Sequence, residues 1–93
     1  MKIYYAHPMC MYGGDDESRH LARIRQEFRH CEIVNPADYR DDPSKRRDTV
    51  GFCLTLVKGC DAVVFCRLRG KITAGVGMEV NYARRIGKPF FEM

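Results

Sequence analysis

The hydrophobic positions of this chain fall into short apolar runs separated by longer segments with helical spacing. Runs rich in aliphatic and aromatic residues predict strands at residues 2–6, 32–35, 62–65 and 90–91. Apolar residues spaced three or four apart predict helices at residues 17–30, 45–58 and 74–86. Ser18 or Asp16 is expected to cap the first helix, and a polar loop to span residues 36–48.

Regular alternation of strand and helix predicts an α/β fold with a parallel sheet. We expect a Rossmann-like or flavodoxin-like three-layer sandwich with strand order 2-1-3-4 and helices on both faces. In that order the first helix covers one face and the other two cover the opposite face. One face of strands three and four then has no helix packed against it. We expect a homodimer that buries this face.

Composition limits the class of protein. With 93 residues and 45% hydrophobic content, the chain is a single folded domain, residues 1–93. Its five cysteines are an odd number without zinc-knuckle spacing, so we expect reduced thiols, no metal and no cofactor. No apolar run approaches the ~20 residues of a membrane span, and no signal-peptide pattern appears. We therefore expect a cytoplasmic protein without a membrane partner.

The charge pattern bears on the ligand. The formal net charge is +4, but basic and acidic residues are interspersed rather than collected on one element. Nucleic-acid binding usually needs a basic stripe or patch. A small anionic ligand is the simpler expectation.

The segment Gly75–Glu79, at the start of the third predicted helix, is the clearest candidate for chemistry. Its two glycines permit close approach of a ligand, and a helix N-terminus favours anions and helps keep a carboxylate ionised. Such a carboxylate suits attack on the anomeric carbon of a phosphorylated sugar. An ordinary strand-to-helix turn fits the same residues, because Gly-x-Gly is a weak pattern.

Two further side chains lie near predicted strand ends, where α/β folds bind ligands. His7 follows the first strand and is read either as a phosphate contact or acid, or as a turn histidine. Asp61 adjoins the third strand and is read either as a sugar contact or as a residue that fixes a loop.

Several segments in order carry a resemblance to a known family. They are Ile3–Ala6, the Gly13-Gly14 loop, Cys60–Val64, and Thr73–Ala83 followed by Gly87-Lys88-Pro89. The chain resembles the nucleoside 2-deoxyribosyltransferase superfamily, which includes the 2'-deoxynucleoside 5'-phosphate N-hydrolases. The likeness covers nearly the whole chain, although only the block 75–83 is specific.

The resemblance implies a covalent mechanism. Glu79 would be the nucleophile that attacks C1' of a 2'-deoxynucleotide or nucleoside and forms a glycosyl-enzyme, which water or a second base resolves. Tyr4 would orient Glu79 by a hydrogen bond. The alternative interpretation is that Tyr4 is an ordinary core or rim tyrosine.

The resemblance also implies a site for the 5'-phosphate, built from backbone N–H groups, a hydroxyl and a basic loop. For any single basic residue, a solvated loop is the alternative reading. The residues implied are Gly13, Gly14, Thr73, Gly75, Gly77, Arg67, Arg69 and Lys71.

The chain departs from the family pattern at two places. The family aspartate that assists the leaving base falls on Cys53, which Asp48 would have to replace. The family also continues beyond the position of Met93 and lends a residue to the neighbouring subunit. Two functions are therefore carried forward: an enzyme acting on the N-glycosidic bond, and a non-catalytic nucleotide-binding module on the same fold.

Overall fold

A computed structural model describes all 93 residues. The strands are β1 (Lys2–Ala6), β2 (Glu32–Val34), β3 (Ala62–Phe65) and β4 (Phe90–Glu92). The α-helices are α1 (Asp15–Glu27), α2 (Pro43–Arg47), α3 (Thr49–Lys58) and α4 (Ala74–Arg85). Short 3-10 helices occupy Met9–Met11 and Pro36–Tyr39, the second of them within the segment 36–48 that was predicted as a polar loop.

The strands form one parallel sheet in the order β2-β1-β3-β4. Tyr4 in β1 lies opposite Val34 on one side and Val63 on the other. This topology confirms the predicted α/β fold and its strand order. The carboxyl ends of β1 and β3 therefore lie side by side, at the edge of the sheet where such folds bind ligands.

The two faces of the sheet carry separate core layers, because successive side chains of a strand point to opposite faces. Tyr4 faces α3 and α4 and packs with Val57 and Val80. Ile3 and Tyr5 belong to the layer that contains Ile24 of α1. The predicted placement of helices on both faces is thus confirmed.

The expectation that strands three and four lack cover is wrong for β3. All four residues of β3 are buried. The reason is that Phe28, just after α1, and the terminal Met93 extend the α1 layer. Phe91 of β4 remains 45% exposed, although its ring lies 5.4 Å from that of Phe28.

The helix predicted over residues 45–58 is in fact two helices. Asp48 takes a non-helical conformation (φ −148°, ψ 82°), and its carboxylate accepts a hydrogen bond of 3.0 Å from the Gly51 N–H. Asp42 caps α2 in the same way, by accepting from the Ser44 N–H at 2.8 Å. Capping by aspartate competes with continued helix and so divides the segment.

The first helix differs from its prediction at both ends. It begins at Asp15 after Gly14, so neither Ser18 nor Asp16 is the cap residue. It ends at Glu27, and His30 lies in the left-handed region with φ 62°, which is incompatible with helix.

No helix combines the length and the apolar character needed to cross a bilayer. All five cysteines are free. No three His, Cys, Asp or Glu side chains are grouped so that they could hold a metal ion.

We predict that Asp48→Ala lowers the free energy of unfolding by about 1 kcal/mol, because it removes the cap of α3. Chemical denaturation of both proteins measures the difference. Asp38→Ala is the matched control, since Asp38 is exposed and is not the cap residue of a helix. Equal losses in the two variants would contradict the capping role.

Candidate functional site

A cavity of about 340 Å³ opens at the carboxyl ends of β1 and β3. Its walls come from the turn after β1, the first turns of α3, the loop after β3 and the start of α4. The lining residues are His7, Pro8, Met9, Cys10, Tyr12, Thr49, Val50, Cys53, Leu68, Thr73, Gly75, Val76, Met78 and Glu79.

Glu79 and Tyr4 meet at this cavity, although they lie 75 residues apart in the chain. Glu79 lines the cavity with only 9% of its surface exposed. The fully buried Tyr4 hydroxyl donates a hydrogen bond to Glu79 Oε2. Tyr4 does not line the cavity, so its hydroxyl serves the carboxylate of Glu79 rather than a ligand.

Burial dominates the ionisation of this pair. It raises the pKa of Glu79 to about 7, against hydrogen bonds from Tyr4 and Cys53 and the charge of Lys45, which all lower it. This differs from the expectation that the helix N-terminus keeps the carboxylate ionised. Burial, together with the neighbouring charge of Glu79, also raises the pKa of the Tyr4 hydroxyl, which therefore stays a neutral donor.

Cys53, in α3, also lines the cavity. Burial raises the pKa of its thiol, and the charge of Glu79 adds to the rise. The side chain is therefore a neutral thiol near pH 7. A neutral thiol is a weak hydrogen-bond donor.

Neither aspartate named from the sequence reaches the cavity. The carboxylate of Asp48 is engaged by the Gly51 N–H in capping α3, and Asp48 is absent from the cavity wall. Asp61 lies just before β3, at the opposite edge of the sheet, and accepts a 2.7 Å hydrogen bond from the Lys2 N–H. The structure thus gives both residues a structural role.

Only some of the glycines predicted to bind phosphate line the cavity, as does Thr73. Thr73 and Gly75 line the cavity, whereas Gly77 lies behind it, where an added Cβ would be 3.6 Å from Ile72 Cγ2. Gly13, with φ +75°, donates its N–H to Glu17 at 3.1 Å, and Gly14 precedes α1. The Gly13-Gly14 loop is therefore not part of the cavity wall.

The basic side chains of the loop after β3 are not brought into the cavity either. Arg67 forms an ion pair with Glu92 of β4 at 2.7 Å. Arg69 and Lys71 are exposed, because paired backbone hydrogen bonds between Leu68 and Lys71 fold the loop into a tight turn. Leu68 is the member of this turn that faces the cavity, so no Arg or Lys side chain lines it.

His7 lines the cavity, but both of its ring nitrogens are engaged by the protein. Nε2 lies 2.7 Å from Glu17 Oε2, and Nδ1 lies 3.0 Å from the Tyr5 carbonyl oxygen. Burial tends to raise the pKa of Glu17, but hydrogen bonds from His7 and the Gly13 N–H hold it below its usual value. His7 thus anchors the turn after β1.

Sequence reasoning missed two side chains at this site. Lys45 is only 2% exposed, and its Nζ lies 3.3 Å from the hydroxyl oxygen of Tyr12 and 4.8 Å from the centre of that ring. Tyr12 lines the cavity. No local pattern distinguishes Lys45 from the adjacent Arg46 and Arg47, which are exposed.

Comparisons with known proteins support the fold. No protein-family model matches the chain, and a search of curated proteins finds no match. Among solved structures, a 2-deoxyribosyltransferase from Leishmania mexicana superposes with a TM-score of 0.69 over 99% of this chain. The two sequences are 19% identical, so the likeness shows a shared fold. The match covers 63% of that protein, so this chain spans less than two thirds of its length.

We predict that Glu79→Gln stabilises the protein at pH 8, on the order of 2–3 kcal/mol, by removing a buried charge. The pKa of Glu79 rises on folding from 4.5 to about 7. The contribution of protonated Glu79 to the stability of the fold is therefore fully present below about pH 4.5 and is lost as the pH rises through 7. Denaturation from pH 4.5 to 8 measures the effect, with the exposed Glu27→Gln as control. Parallel stability curves for wild type and Glu79→Gln would contradict the prediction.

Proposed function

We propose that the protein cleaves or transfers at the N-glycosidic bond of a 2'-deoxynucleoside or its 5'-monophosphate. Glu79 is the nucleophile, and the reaction passes through a glutamyl glycosyl-enzyme. The observation that carries this proposal is the buried hydrogen bond from Tyr4 to Glu79 beside the cavity. The likeness of the fold to a 2-deoxyribosyltransferase supports it.

The proposed reaction has two steps. A Glu79 oxygen bonds to C1' while the C1'–N bond breaks, and the electron pair of that bond leaves with the base. The hydrogen bond from Tyr4 engages Oε2 and so leaves Oε1 for the attack. Water or a second base then bonds to C1', and the electron pair of the ester bond returns to Glu79.

The start of α4 is the proposed contact for the 5'-phosphate. Thr73 precedes the helix, but its hydroxyl makes no capping hydrogen bond. The first N–H groups of a helix lack intrahelical partners, and their dipoles favour anions. Thr73, Gly75 and Val76 all line the cavity. No Arg or Lys side chain lines the cavity to bind a phosphate group. The free nucleosides are therefore assayed beside the 5'-monophosphates.

A non-catalytic nucleotide-binding module is the second candidate. The neutral thiol of Cys53 favours it, because general-acid assistance to a leaving group is typically worth about 10²–10⁴-fold in rate. In this alternative the cavity binds a nucleotide and Glu79 makes no covalent bond.

A homodimer is proposed from the edge of the sheet. β4 pairs only with β3, and its Phe91 is 45% exposed. Sedimentation equilibrium is expected to show a dimer that Phe91→Lys converts to monomer. A monomeric wild type at micromolar concentration would reject this assembly.

We predict that the wild type releases free base from at least one of the four deoxynucleosides or their 5'-monophosphates. The rate is expected to rise with pH through about 7, because the nucleophile is the ionised form of Glu79. Glu79→Ala should abolish release. Chromatography of the products measures it. Absence of release, with a ligand-induced rise in the melting temperature, would favour the binding module instead.

Tyr4→Phe keeps the aromatic ring and removes the donor to Glu79. It is expected to lower kcat/KM by about 10- to 100-fold, the usual worth of a hydrogen bond to a charged group. The acid limb of the pH profile should also move to higher pH, because the pKa of Glu79 rises further. If the acid limb of the pH profile does not move, Tyr4 contributes only packing and does not affect the ionisation of Glu79.

A further inference from the structure

The ammonium of Lys45 is buried without a carboxylate partner. Its exposed fraction is 2%, and its contacts are the hydroxyl and the ring face of Tyr12. The next residue, Arg46, points to solvent and pairs with Asp41 at 2.9 Å. Burying an ammonium costs free energy unless the charge is compensated. A buried charge beside a cavity-lining residue suggests a role in binding or chemistry.

The direction of the hydrogen bond between these two residues follows from their chemistry. An ammonium has donors and no acceptor, so the Tyr12 oxygen accepts from Lys45. The proton of Tyr12 is then free, since the hydroxyl makes no other hydrogen bond in the structure. Because Tyr12 lines the same cavity as Glu79, this proton is available to a ligand bound there.

The surroundings keep Tyr12 protonated. Burial raises its pKa, and the nearby carboxylates of Glu79 and Glu17 raise it further. A cation on the oxygen of a neutral phenol polarises the O–H bond and strengthens it as a donor. Tyr12 therefore has the properties of a fixed hydrogen-bond donor rather than of a base.

We propose that Tyr12 donates a hydrogen bond to the departing base, and that Lys45 positions and polarises Tyr12 for this purpose. The inference rests on the proposed function. It assigns to Tyr12 the assistance that Cys53 is poorly suited to give.

The reaction balances with Tyr12 in this role. When Glu79 bonds to C1', the base leaves with the electron pair of the C1'–N bond and accepts the hydrogen bond of Tyr12. In hydrolysis, the oxygen of a water molecule then bonds to C1', and the Glu79 carboxylate is released. One proton of that water neutralises the base. Tyr12 keeps its own proton throughout, in agreement with its raised pKa.

A matched pair of substrates tests the role. 2'-Deoxyguanosine releases an anionic base, whereas its 7-methyl derivative releases a neutral one that needs no such hydrogen bond. Both are supplied as nucleoside or as 5'-monophosphate, whichever the wild type cleaves faster. Tyr12→Phe should lower kcat/KM for the unmethylated substrate by about 10- to 100-fold and leave the methylated one nearly unchanged.

Variants of the helix that carries Lys45 complete the design. Lys45→Met should produce the same selective loss, and Lys45→Arg should restore part of it. Arg46→Met removes one positive charge from the same helix and should leave both rates unchanged. Tyr12→Phe retains the ring beneath the ammonium, so it carries the test if Lys45→Met does not fold.

The remaining outcomes overturn the inference in distinguishable ways. An equal loss on both substrates would mean that Tyr12 and Lys45 only hold the cavity wall in place. No loss on either would mean that they do not act on the base. Release of no base by the wild type from any of the four deoxynucleosides or their 5'-monophosphates would refute the proposed function itself, and the inference with it.

Discussion

β1 pairs in parallel with both β2 and β3, and its two faces hold different parts of the molecule. Tyr4 points to the layer of α3 and α4, whereas Tyr5 points to the layer of α1. A shift of one residue in this register would reverse the two faces. Tyr4 would then leave Glu79 without its donor. The position of the catalytic candidate thus depends on the pairing of the central strands.

Burial of Glu79 opposes the ionisation of its carboxylate, and the hydrogen bonds it accepts favour that ionisation. Glu79 is set beneath a largely apolar wall, and neutral donors from Tyr4 and Cys53 partly offset the cost of its charge. Conversion of the carboxylate to a glycosyl ester would remove that buried charge. The same environment that makes ionisation costly therefore favours the covalent intermediate over the free carboxylate. This is the physical link between the packing of α4 and the proposed chemistry.

The positive charge near the cavity does not come from the basic loop after β3. The basic residues that follow β3 are drawn away, most clearly Arg67 by Glu92 of the neighbouring strand. The positive charge near the cavity belongs to Lys45 instead, from a short helix that the sequence pattern merges with α3. The positive charge near this site is therefore carried by one buried side chain rather than by an exposed loop.

Hydrophobic periodicity and the rules for strand connections were enough to predict the strands, the parallel order of the sheet and the position of Glu79 near the start of a helix. These features depend on short-range pattern and on the right-handedness of crossover connections, which are local or general rules. The break at Asp48 depended on whether its carboxylate reached a backbone N–H three residues on, and pattern does not settle that. Which cation lies next to the cavity wall was decided only by tertiary structure. Arg67 meets Glu92 across 25 residues and Lys45 meets Tyr12 across 33 residues, so folding alone brings these partners together.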